Sequence, residues 1–218
     1  MKKIISLLLF VFCLSCKDKD QTYSQDVTQK EPLSEKIVTV TDSTLKQKTT
    51  EAIALLKKYS SESKVIPNDL SSMIIGFSRT VFGLINQSNG VVEVAVEEAT
   101  QEHDLVILFD NASLVYSGNV IQTMSTDNDR MFIRIMSDLV KTKSVLSIAS
   151  NLLRELVRPQ GELTAYMRQF YFLVYVYGGV DKELESSVAG NKIEIKVLAD
   201  DTSEFNSCFN KVRELKGN

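Results

Sequence analysis

Apolar residues recur at spacings of three and four through most of the chain beyond residue 42, and this period constrains the fold more than any other feature. Leu70, Met73, Ile74, Phe77, Val81 and Leu84 form one such stripe. Pro67-Asn68-Asp69 stands at its start as a stop and cap, and Asn89-Gly90 ends it, which predicts a helix. Gly76 and Gly83, seven apart on that helix, would let a second helix approach closely. A helix capped by Ser43 or Thr44 would turn Leu45, Ala52, Leu55, Leu56 and Tyr59 inward and leave Lys46, Lys48, Lys57 and Lys58 outside. Ser125-Thr126-Asp127-Asn128-Asp129 reads as a break and cap, after which Phe132, Ile135, Met136, Leu139, Leu146, Ala149, Leu153 and Leu156 predict one long helix or two nearly joined over 130–157. Pro159-Gln160-Gly161 ends it. Residues 162–177 predict a further, central helix closed by Gly178-Gly179. Asp201-Thr202-Ser203-Glu204 reads as a capping box opening a last helix, with Phe205, Cys208, Phe209, Val212 and Leu215 inward.

Residues 91–124 satisfy two periods at once. Val91 to Glu97 alternates like a strand, yet Val92, Ala95, Val96 and Ala99 also line one helix face. Leu105-Val106-Ile107-Leu108-Phe109 looks like a buried strand, yet Leu105, Leu108, Phe109, Ala112, Val115 and Tyr116 keep helical spacing. Between the runs, Glu97, Glu98, Ala99, Gln101 and Glu102 offer no hairpin chemistry, and the segment is read as helix. Alternating Ile193, Ile195 and Val197 predict one strand. With 44% hydrophobic residues, nine Gly and three Pro, the chain can bury a core. The expectation is a single, mainly α, bundle-like domain over residues 43–218 with at most a small β element. The alternative is α+β with a small antiparallel sheet.

The chain begins Met1-Lys2-Lys3, runs without polarity from Ile4 to Leu14 apart from Ser6, and continues Ser15-Cys16-Lys17-Asp18-Lys19-Asp20. A basic start, an apolar run too short to span a bilayer and a small residue at the cut describe a secretory signal. Leu14-Ser15-Cys16 resembles the lipobox of bacterial lipoproteins. The resemblance covers only residues 1–20, and Cys13 stands where a lipobox prefers Leu. It implies removal of residues 1–15, acylation of Cys16 and a membrane contact through that lipid. Lys17, in place of Asp, departs from the inner-membrane retention signal of such proteins and implies the outer membrane, with the domain periplasmic or surface-facing. Residues 16–42, polar and mixed in charge, read as a lipidated tether with a root-mean-square span of about 25–30 Å. Loss of Lys2 and Lys3 takes the formal charge from −3 to −5, so no nucleic-acid partner is expected.

Cysteine chemistry is sparse. Cys13 leaves with the signal and Cys16 is acylated, so Cys208 is left alone, facing inward on the last helix. The sole histidine, His103, has Glu102 and Asp104 beside it, but no second His and no Cys at ligand spacing, and no Gly-x-Ser-x-Gly elbow accompanies any serine. Phe109-Asp110-Asn111-Ala112-Ser113 resembles the strand and metal loop of von Willebrand A-type domains, Asp-x-Ser-x-Ser. Ala112 and Leu114 replace both serines, and the reading is set aside. Asp127-Asn128-Asp129 opens like a calcium loop, but Phe132 and Asp138 stand where Gly and Glu are required. No glycine-rich phosphate loop occurs. No catalytic, cofactor or metal residue is therefore assigned. The expected function is a non-catalytic binding or assembly component of the envelope, with a possible protein partner there. The alternative is an envelope hydrolase acting on glycan or lipid through carboxylates that no spacing singles out.

Overall fold

The computed structural model describes residues 36–88, 91–111, 121–127, 129–178 and 203–217. They form an α/β structure in which a mixed six-stranded sheet carries the chain's middle third. The mainly α expectation is thus overturned, and so is the alternative of a small antiparallel sheet. The strands are β1 (Lys36–Ile37), β2 (Arg79–Ser88), β3 (Val91–Val96), β4 (Asp104–Asp110), β5 (Ile121–Asp127) and β6 (Arg130–Met136), in spatial order β1-β3-β2-β4-β6-β5. β2, β4 and β6 run parallel in the centre, while β3 and β5 pair antiparallel with β2 and β6. The helices are α1 (Ser43–Glu62), α2 (Asn68–Gly76), α3 (Ser137–Thr142), α4 (Val145–Val157), α5 (Glu162–Gly178) and α6 (Ser203–Leu215).

Burial of β4 explains why a helical reading fails there. All seven of its residues are buried, because strands flank it on both edges and side chains cover both faces. Leu105, Ile107 and Phe109 face a core built with α1, α4, α5 and α6, while Val106 and Leu108 face a second cluster with Val81, Ile85, Val96 and Phe132. A helix would have left Val106 and Ile107 off its apolar stripe. Both are 0% exposed. The expected helix over 67–88 is likewise α2 followed by β2, and the expected helix over 130–157 is β6, α3 and α4. Ser125 to Asp127 lie in β5 rather than in a helix cap, and Asp129, with φ 60°, precedes β6. The expected strand at 192–197 and the caps at Gly179 and Asp201 lie outside the described residues.

The helical readings of residues 44–59, 162–177 and 203–215 match α1, α5 and α6. Leu45, Ala52, Leu56 and Tyr59 are buried on α1, and Phe205, Cys208 and Val212 on α6. The cap of α1 is Asp42 rather than Ser43 or Thr44, its Oδ1 accepting from the amides of Thr44 (3.0 Å) and Leu45 (3.3 Å). Residues 36–42, expected in the tether, join the fold. Val38 donates to the Val96 carbonyl (2.8 Å) and Val40 is 3% exposed.

Three of the four lysines expected outside α1 hold neighbouring elements. Lys46 pairs with Glu97 (2.9 Å) and Lys57 donates to the Phe77 carbonyl beyond α2 (2.8 Å). Lys48 reaches the carbonyls of Val140 (3.1 Å), Lys141 (3.0 Å) and Lys143 (3.1 Å), where a cation satisfies the acceptors left over at the end of α3.

Candidate functional site

The strongest candidate is a groove between α4, α5 and α6. On α4, Ser147, Ser150, Asn151 and Arg154 fall at i, i+3, i+4 and i+7, a polar stripe on a helix whose only other polar residue is Glu155. α5 returns beside α4 after a 3-10 turn at Arg158–Gln160 and Gly161, whose φ of 111° suits a residue without a side chain. α6 packs on α5 and places Glu204, in its first turn, over the stripe.

The Glu204 carboxylate accepts three hydrogen bonds there. Ser147 Oγ donates to Oε2 (2.9 Å), and Ser150 Oγ (3.0 Å) and Asn151 Nδ2 (3.1 Å) donate to Oε1. Gln169 of α5, 2% exposed, donates Nε2 to Ser150 Oγ (3.3 Å). Because the single Ser150 hydroxyl proton is directed at a carboxylate, this oxygen must accept from Gln169, which fixes the amide's orientation. One turn along α4, Arg154 stacks over the Tyr166 ring at 5.1 Å and donates to its hydroxyl at 3.4 Å. Lys211 and Glu214 pair at 2.9 Å. These groups border a cavity of about 590 Å³, in the size range of small-molecule sites.

Cys208 lies among them, 3% exposed, its Sγ donating to the Tyr166 carbonyl at 3.5 Å. The inward placement expected from its stripe is borne out. Burial pushes its thiol up from 9.0 to about 12; the nearby Arg154 works against this and Glu204 adds to it. The thiol is thus kept protonated and unreactive. Replacement by alanine should cost about 1 kcal/mol and slow no reaction with thiol reagents beyond removing the one buried site. A thiol pKa raised on folding stabilises fully below the unfolded value and is lost as pH rises through the folded one. Native stability should therefore fall as pH climbs from 9 towards 12, and Cys208→Ala should flatten that fall. Urea midpoints compared across that window test it, and an identical slope in the two proteins would contradict the assignment.

The residues weighed from sequence are placed elsewhere and are not brought together. His103 is exposed, with φ 61°, in the turn before β4. With Asp129 and Arg130 it edges a second cavity of about 530 Å³ floored by Met73, Phe77 and Met131, at the amino ends of β4 and β6. Asp104 is fully buried and bound to Arg79, through Nε to Oδ1 (3.0 Å) and Oδ2 (3.1 Å). Asp110 does sit at the carboxyl end of a buried strand, as the von Willebrand comparison would have it, but its carboxylate is ion-paired with Arg134 at 2.5 Å. Among the described residues no group of three or more His, Cys, Asp or Glu is arranged to hold a metal. Cys16 lies outside the described residues. The sequence reading takes Glu204 only as part of a capping box and passes over the α4 stripe; the signal available is four polar residues at i, i+3, i+4 and i+7 on a largely apolar helix.

Protein-family models, curated proteins and solved structures yield no match to this chain.

Proposed function

We propose that this chain is a lipoprotein of the bacterial outer membrane, held by acylated Cys16, whose α/β domain serves as a non-catalytic binding or envelope-assembly component. The observation that carries the reading is Leu14-Ser15-Cys16 directly behind the apolar run that begins at Ile4. Two structural facts support the division of labour. No helix among the described residues is long and apolar enough to cross a membrane, and in this reading the acyl chain on Cys16 supplies the hold on the bilayer. The buried carboxylates Asp104, Asp110 and Glu155 are each engaged by an arginine, and the half-buried Glu204 by three neutral donors, which suits positioning better than proton transfer. The α4–α6 groove is the binding surface in this reading.

Cys16→Ser should abolish incorporation of labelled palmitate and leave an unprocessed precursor, read from metabolic labelling and the size of the chain on gels. Labelling that persists in the variant overturns the proposal.

A further inference from the structure

The ligand class follows from charges that the groove leaves unmatched. Glu204 is held only by neutral donors, with no cation within salt-bridge distance among the described residues. Arg154 has a ring and a hydroxyl against it but no carboxylate. Lys211, half-buried at the groove's edge, is paired with the exposed Glu214, and Lys143 is exposed at the groove's border. One anion and one cation therefore face the same space without touching. Asn151, which contacts Glu204, and Arg154 differ by three residues on α4, a rise of about 4.5 Å. That offset leaves room for two groups of a ligand between them. Next to the Glu204 cluster, Gln169 Oε1 has no hydrogen-bond partner, and its amide cannot turn over without breaking the bond to Ser150. This unmet acceptor adds negative potential at the Glu204 end and favours a positive group there.

We propose that the groove binds a small zwitterion, its ammonium group at the Glu204 carboxylate and its carboxylate or phosphate at the Arg154 guanidinium. The inference rests on the reading of the domain as a binding component, and is independent of how the chain is anchored. A purely anionic ligand would meet Glu204 unshielded, and a purely cationic one Arg154. Either would forgo one of two charge-assisted contacts. Arg154 is suited to the acidic group because its planar fork matches both carboxylate and phosphate oxygens, and its stacking on Tyr166 holds the fork in place.

The test is titration calorimetry on the full chain in detergent micelles, with glycine and phosphoethanolamine as zwitterions and acetate and ethanolamine as single-charge controls. At least one zwitterion should bind one to one, about tenfold or more tighter than either control. Glycine alone would assign a carboxylate ligand and phosphoethanolamine alone a phosphate headgroup; both support the proposal. Arg154→Gln and Glu204→Gln should each weaken that binding about tenfold or more while far-ultraviolet circular dichroism stays unchanged. Should Glu204→Gln disturb the fold, Arg154→Gln, at a half-buried position outside the apolar core, decides alone. Controls that bind as well as zwitterions, no binding of either zwitterion at millimolar concentration, or binding indifferent to Arg154→Gln overturns the proposal. Each of these can occur with palmitate labelling intact and with another ligand captured, so the anchored binding component would survive the loss of this ligand class.

Discussion

Gly83→Val should destabilise the domain by about 3 kcal/mol, near the upper end for overpacking. Gly83 lies mid-strand in β2, opposite Val96 of β3 and Leu108 of β4. A Cβ there would press onto the Ala95 carbonyl oxygen and stand 2.9 Å from Leu108 Cδ2 and 3.1 Å from the Val96 Cα. A surface Leu108 would yield, but this one is 0% exposed, and the β3 backbone is tied into the sheet. Relief must come from moving strands. Gly76 is the matched control. It ends α2 with nothing within 4 Å of a Cβ position, so Gly76→Ala should be neutral or stabilising by about 0.5 kcal/mol. Urea unfolding of the two variants gives the answer directly. Equal midpoints would mean that β2 and β3 are not packed as described.

Asp104→Ala should cost about 3 kcal/mol, because a fully buried carboxylate that accepts four hydrogen bonds from three donors is removed and those donors are left without it. Besides both bonds from Arg79 Nε, the Gln101 amide donates to Oδ2 at 2.7 Å and Ser78 Oγ to Oδ1 at 3.3 Å. Truncation strands the Gln101 N–H and frees the turn that leads into β4. Glu98→Ala is the contrast. Glu98 receives the same arginine's Nη1 at 2.7 Å, but it is 66% exposed, and losing such a pair costs about 0–1 kcal/mol. Hydrogen exchange at Gln101 separates the two variants, fast in Asp104→Ala and protected in Glu98→Ala. A Glu98 variant as damaging as the Asp104 one would place the energy on the surface rather than in the buried contact.

The two largest effects fall in the region where sequence reading went astray, for a common reason. Gly83 was read as one of two helix glycines and Asp104 as a neighbour of an exposed histidine. Both assignments depend on whether residues 79–136 alternate between faces or wind around one. Leu105, Leu108 and Phe109 satisfy a helix, as do Phe132, Ile135 and Met136. The discriminating residues were the apolar ones that a helix would waste: Phe82, Val106, Ile107 and Ile133, of which the last three are 0% exposed. Asn89-Gly90, taken as a helix stop, was a second signal of sheet. Ser88 pairs with Val91, and an Asn-Gly dipeptide between two strand residues so paired is the sequence signature of a two-residue hairpin.

By itself the sequence determined α1, α5 and α6, along with the faces they bury and the inward thiol of Cys208. An amphipathic helix is a local object: its period, breaks and caps lie within some twenty residues, and the apolar face needs only some core to turn towards. The tertiary structure alone decided that the middle of the chain is a sheet. Parallel strands covered on both faces lose the alternation that would betray them, and their partners come from distant turns of the chain, as β2, β4 and β6 do. It alone decided, too, that Lys48 closes α3, that Arg79 grips Asp104, and that Glu204 meets a stripe on α4 more than fifty residues away. Charge pairing across such separations has no period to read; it exists only once packing has set the distance.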